Sequence, residues 1–104
     1  MFYLQVTIEL DHANVPKFLD NLENRFVPVA TKHGMRLVGA FQTAVGTMDE
    51  ITDIWAFDNL EHYAQVFRSL AKDPEWQSIF DEERSLVRRE TTKFLRALPF
   101  SPLS

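Results

Sequence analysis

An α+β fold with the order strand, helix, strand, strand, helix, strand is what this sequence predicts, and three observations predict it. Phe2 to Leu10 alternates between apolar and polar residues without a break, the period of a strand with one buried face. Two later stretches, Val15 to Ala30 and Leu60 to Ala71, carry apolar residues at helical spacing. Between them, two apolar segments flank Thr47-Met48-Asp49 as the arms of a hairpin.

In the first strand Phe2, Leu4, Val6, Ile8 and Leu10 point one way and Tyr3, Gln5, Thr7 and Glu9 the other. After the polar Asp11–Asn14 loop, Val15, Phe18, Leu19, Leu22, Phe26, Val29 and Ala30 form one helix face. Asn14 suits the N-cap, and Pro16 is tolerated because first-turn amides have no intrahelical partner. Pro28 removes a hydrogen bond to the carbonyl of Asn24 and predicts a kink in the last turn. Gly34 is suited to a left-handed stop.

The hairpin is expected to run from Met35 to Gly46 and from Glu50 to Asp58. A three-residue loop would set odd residues opposite odd ones, pairing Val45 with Ile51, Thr43 with Asp53, Phe41 with Trp55 and Gly39 with Phe57. One face then carries Leu37, Phe41, Val45, Ile51, Trp55 and Phe57, and the other Val38, Ala40, Ala44, Ile54 and Ala56. Both faces are too apolar for open water.

Asp58 with Glu61 resembles a capping box for the second helix, whose apolar face reads Leu60, Tyr63, Ala64, Phe67, Leu70 and Ala71. Asp73-Pro74 ends it and opens a short further helix with Trp76, Ile79 and Phe80 on one side. A last strand is expected over about Arg89 to Leu98, before Pro99 and Pro102 end regular structure. The order is that of a ferredoxin-like plait with an antiparallel sheet. Both helices cover one sheet face, and the apolar second face predicts sheet-to-sheet homodimerisation as an α/β barrel.

The totals restrict the function classes. The 104 residues suit a single domain spanning 1–104. Net charge is −4, and no basic run exceeds Arg88-Arg89, which argues against nucleic acid and anionic membranes as partners. There is no cysteine, so disulfides and thiol nucleophiles are excluded, and a cytoplasmic location is expected. No segment approaches the ~20 apolar residues that span a bilayer.

His33-Gly34-Met35-Arg36-Leu37-Val38-Gly39, Ile54-Trp55-Ala56-Phe57-Asp58-Asn59-Leu60, Asp73-Pro74-Glu75-Trp76 and Leu98-Pro99-Phe100 together resemble the NIPSNAP family over essentially the whole chain. The resemblance implies a dimeric α/β barrel. It implies little about activity: eukaryotic members resemble mitochondrial proteins tied to vesicle or organelle-quality pathways, and related barrels include small enzymes with pockets between sheet and helices. Without a presequence ahead of Phe2, a bacterial cytoplasmic member is expected. Many relatives place a histidine just before the Ile-Trp pair, where this chain has Asp53, so no role of that histidine carries over.

Asp53 is the sharpest catalytic candidate. On the face beneath the helices its carboxylate is desolvated, which raises its pKa and suits a general acid or base; a register slip of one residue would place it on the other face. The competing account is a structural carboxylate bonded to Thr43, Thr52, Arg36 or Arg88. Gly39, Phe41, Trp55 and Tyr63 are the candidate ligand-binding residues, with packing as the competing role of the aromatic rings. His12, His33 and His62 occur in no metal-ligand spacing, so no metal or cofactor is expected. Ser69, Ser78 and Ser85 have no base that the sequence positions. The leading functional expectation is a homodimeric binder of a small, partly apolar molecule, extending to a cofactor-free enzyme acting through Asp53. The alternative is a non-enzymatic protein-interaction module.

Overall fold

A computed structural model describes residues 1–104. Strand β1 (Phe2–Leu10) leads through a 3-10 turn into α1 (Val15–Asn21), a π-helical segment (Leu22–Phe26) and α2 (Val27–Lys32), which form one continuous helix. The hairpin strands β2 (Arg36–Gln42) and β3 (Glu50–Phe57) follow, then α3 (Leu60–Ala71), α4 (Pro74–Glu83) and β4 (Val87–Arg96). The four strands form one antiparallel sheet in the order β2-β3-β1-β4. This is the expected plait, with the helices on one face.

Local chemistry sets the helix ends. Asn59, rather than Asp58, caps α3 by accepting from the His62 amide at 2.8 Å. Asp73 caps α4 by accepting from the Glu75 amide at 2.9 Å, and Pro74 occupies the first turn, where its missing N–H costs nothing. Gly34 ends α2 at φ 103°, a conformation costly to other residues. The effect of Pro28 falls upstream of it: Val27 N–H bonds Leu22 O, and the turn widens into the π segment. The wider turn accommodates a helix that the proline would otherwise break.

The helix-facing side of the sheet buries two apolar clusters. One joins Leu4, Trp55 and Phe57 to Ala30, Met35, Val66, Leu70 and Trp76. The other joins Ile8, Leu10 and Ile51 to Val15, Phe18 and Leu22. Val6, Phe26 and Val27 pack against both. In α3 the buried anchors are Val66 and Leu70, whereas Leu60 is exposed. Val66 was absent from the expected face, which is rotated toward it.

The hairpin departs from its expected register. Its loop spans seven residues, 43–49, and Val45 is exposed in it. Leu37 opposes Trp55, but a bulge at Val38 shifts the ladder, so Gly39 opposes Ile54, Ala40 opposes Asp53 and Phe41 opposes Thr52. One extra residue reverses which side chains face the helices. Gly39 and Phe41 therefore lie on the open sheet face, with Ile54 and Thr52, and Ala40 lies beneath the helices.

Candidate functional site

Rows of side chains across the sheet create the site. Trp55, Leu4 and Phe94 form one row on the helix-facing side, and Ile51, Ile8 and Glu90 another. Between them lies a row of shorter side chains, Ala40, Asp53, Val6 and Thr92. Two rows of bulk hold the helices off the sheet and the short row cannot fill the gap. The result is a cavity of about 160 Å³ lined mostly by apolar side chains, among them Val6, Phe26, Trp55 and Tyr63.

Three carboxylates also line this cavity: Asp53, Glu83 and Glu90. Asp53 is only 3% exposed, and Trp55 Nε1 donates to its Oδ2 at 2.5 Å. Burial pushes Asp53 up to about 6, against the Trp55 bond and a backbone bond that favour its charged form, and the charge of Glu90 adds to the rise. Glu83 follows Trp76 and Phe80 on one side of α4 and is 8% exposed. Burial pushes it up to about 7, helped by the charges of Glu90, Asp53 and Glu82, while Arg25 opposes the rise. Its Oε1 has no hydrogen-bond partner.

No lysine, arginine or histidine lines the cavity. Arg25 is engaged elsewhere, by Glu82 and by Glu75 at 3.4 Å, which ties the π segment to α4. The carboxylates are not arranged to share a metal ion. What remains is an apolar chamber holding two acids that exchange protons near neutrality, the range in which a carboxyl group serves as acid or base.

Among the sequence candidates, Asp53, Trp55 and Tyr63 meet at this cavity. Tyr63 stands edge-on to Phe57 at 5.2 Å and lies 4.7 Å from Phe94. None of Thr43, Thr52, Arg36 and Arg88 bonds Asp53: Thr43 bonds Glu50, Thr52 faces Thr7, Arg36 pairs with Asp58 and Arg88 with Asp11. Gly39 and Phe41 are not part of it. They sit on the opposite sheet face because of the Val38 bulge, and Phe41 is exposed.

Glu83 and Glu90 are the members that the sequence reading missed. Glu83 continues the Trp76–Phe80 spacing by one helical turn, a signal that was present. A second polar constellation lies away from the cavity. His33 Nε2 bonds Asp73 Oδ2 at 2.7 Å, and His33 Nδ1 meets Ser69 Oγ at 2.6 Å. A carboxylate only accepts, so Nε2 donates to Asp73 and the hydroxyl of Ser69 donates to Nδ1 in the neutral imidazole. The His33 bond holds the Asp73 carboxyl below its usual range, assisted by the Glu75 amide. This joins the C-terminal end of α2 to the end of α3 and the cap of α4.

The chain matches the family model described as NIPSNAP over residues 3–102. It is 35% identical over 105 residues to Protein NipSnap homolog 3A of Homo sapiens, a match covering 99% of this chain and 42% of that protein. It thus spans under half the length of such curated relatives. Among solved structures, a protein of Agrobacterium tumefaciens is 33% identical and superposes with a TM-score of 0.90, with 100% of each chain covered. A Nitrosomonas europaea protein assigned provisionally to the antibiotic biosynthesis monooxygenases superposes with a TM-score of 0.73 at 10% identity, covering 94% of this chain and 99% of that one. That second likeness is one of fold alone. Matched along nearly its whole length in both sequence and structure, the chain belongs to the NIPSNAP family.

Proposed function

We propose that the chain binds a small, partly apolar molecule between sheet and helices, and that Asp53 acts on it as acid or base without a cofactor. The observation that carries this reading is a carboxyl group 3% exposed in a cavity of about 160 Å³, its pKa pushed up to about 6 by burial. Such a group is costly to keep in a core and is a functional-site signal for that reason. Trp55 and Tyr63 supply ring surface around it. An apolar cavity near 150 Å³ is large enough to hold benzene, so the ligand fits as a single ring or a short branched chain.

A fragment screen by amide and indole NMR tests this. Fragments should shift the Trp55 indole signal in the wild type and lose the effect in Val6→Phe, which fills the cavity from its floor. A screen in which no fragment moves the Trp55 signal overturns the reading.

The open face of the sheet supports homodimerisation. Val38, Ile54, Leu95, Phe100 and Leu103 line a groove of about 410 Å³ there, against the C-terminal tail. Phe41 and Phe100 are 59% and 84% exposed, more apolar ring surface than one sheet face ordinarily leaves in water. A second copy laid sheet to sheet covers it with a self-complementary surface. The same exposed face favours, as a second reading, an interaction module that grips another protein. No helix is long and apolar enough to cross a membrane, and the absence of cysteine suits a cytoplasmic setting.

A further inference from the structure

We propose that the cavity is a site for an organic monocation, an ammonium group carried on an apolar body about the size of one ring. The inference rests on the reading of the cavity as a small-molecule site and names the class of molecule.

Three observations converge. Asp53, Glu83 and Glu90 face one chamber whose lining contains no basic side chain. Glu83 Oε1, on a residue more than nine-tenths buried, is the single buried side-chain oxygen or nitrogen without a hydrogen-bond partner. An unpaired buried acceptor is expensive, and a donor arriving with a ligand relieves that cost. Aromatic rings make up much of the rest of the wall: Phe26 lies 4.9 Å from Trp76, and Trp76 lies 4.8 Å from Phe80. Ring faces and carboxylates together are what an alkylammonium selects.

A second depression between α4 and β4 shares Phe80, Glu83 and Glu90 with the cavity and adds Arg84 and Val87. Arg84 is drawn away toward Asp81 at 3.7 Å. Glu83 and Glu90 thus line both the cavity and the depression beside it, so a ligand seats its charge beside Glu83 and its body among the apolar side chains. An ammonium donates to Glu83 Oε1, and the charges of the other two carboxylates attract it without sharing its nitrogen. An alcohol offers one donor and no charge. A carboxylate ligand meets three groups of its own sign.

Phenethylamine, phenethyl alcohol and 3-phenylpropionate share one body and differ in the end group. Each is titrated at pH 8 and followed at the Trp55 and Trp76 indole signals. Those signals separate binding in the cavity from the weak attraction of any amine to an acidic protein. Phenethylamine should bind at least tenfold more tightly than the alcohol, and 3-phenylpropionate should not bind. Glu83→Gln and Asp53→Asn should each reduce the ratio of amine to alcohol affinity several-fold. Equal binding of amine and alcohol, or an amine preference undiminished in both variants, overturns the monocation and leaves the cavity reading standing. If none of the three moves either indole signal, while unrelated uncharged fragments do, the monocation falls alone. If nothing does, both fall.

Discussion

The indole of Trp55 donates to the carboxylate of Asp53 from two positions along the same strand, on the same face. Alternation makes such i, i+2 neighbours inevitable in β3. Burial makes the pair matter, because this is the side-chain bond that Asp53 has in place of a cation. Trp55→Phe keeps one aromatic ring in a fully buried position and removes the five-membered ring that carries the donor. Asp53 should then titrate above about 6, and the variant should unfold earlier at pH 8 than the wild type. Carbon-13 NMR of the carboxyl group reads the first outcome and thermal unfolding the second.

Asp53→Asn should raise the unfolding midpoint at pH 8 and change it little at pH 4. The shift is expected to be roughly 4–8 °C, the response of a domain this size to about 1 kcal/mol. Asparagine still accepts from Trp55 and no longer places a charge among apolar side chains. A midpoint that falls at pH 8 would show that the carboxylate is paired and stabilising.

Stability of the wild type should decline as pH rises from about 4 to about 7.5. Asp53 and Glu83 hold protons more tightly when folded than when unfolded, their folded values being about 6 and about 7. The folded state therefore binds more protons between the unfolded and folded values, and stability is lost as pH rises through that window. Urea titrations at half-unit pH steps measure the slope. The double variant Asp53→Asn with Glu83→Gln should flatten it.

Val38→Glu or Ile54→Glu should give a folded monomer if the wild type dimerises through the open face. Neither side chain contributes to the buried clusters beneath the helices. Light scattering after gel filtration reads the mass, and a wild-type monomer at micromolar concentration would refute the dimer.

His33→Ala should lower the unfolding midpoint by roughly 5 °C, the scale for about one hydrogen bond in a domain of this size. Ser69→Ala should cost less, because Asp73 keeps both its bond from His33 and its capping role.

Much of the fold was legible in the sequence because its signals are local. Alternation in β1, helical spacing in α1 and α4, Gly34 and Asp73-Pro74 each act through the backbone they belong to. The shared face of Asp53, Trp55 and Phe57 was legible from the parity of β3, whereas the side of the sheet that this face takes depended on a register that one residue could reverse. The side to which Gly39 and Phe41 turn was not legible. It depends on a bulge at Val38 and a seven-residue loop, and a one-residue change in either reverses the face. The ring of Phe41 crosses Gly39 so closely that a methyl group there would lie 2.7 Å from Phe41 Cζ. The glycine leaves room for the ring of Phe41 on the open side. Glu83 and Glu90 were hidden for another reason: their meeting with Asp53 requires α4 and β4 to be placed against β1.

The π turn at Leu22–Phe26 gives residue number a geometric meaning at this site. Leu22 and Phe26 both line the cavity, and the i to i+5 bond from Val27 N–H to Leu22 O takes up one residue more than an α-helix would over the same rise. A relative with one residue fewer between Val15 and Gly34 would turn a different side of its first helix toward the sheet. In an alignment of such proteins, a single gap here marks a chamber of another shape, although it falls within a helix where gaps are usually dismissed as error.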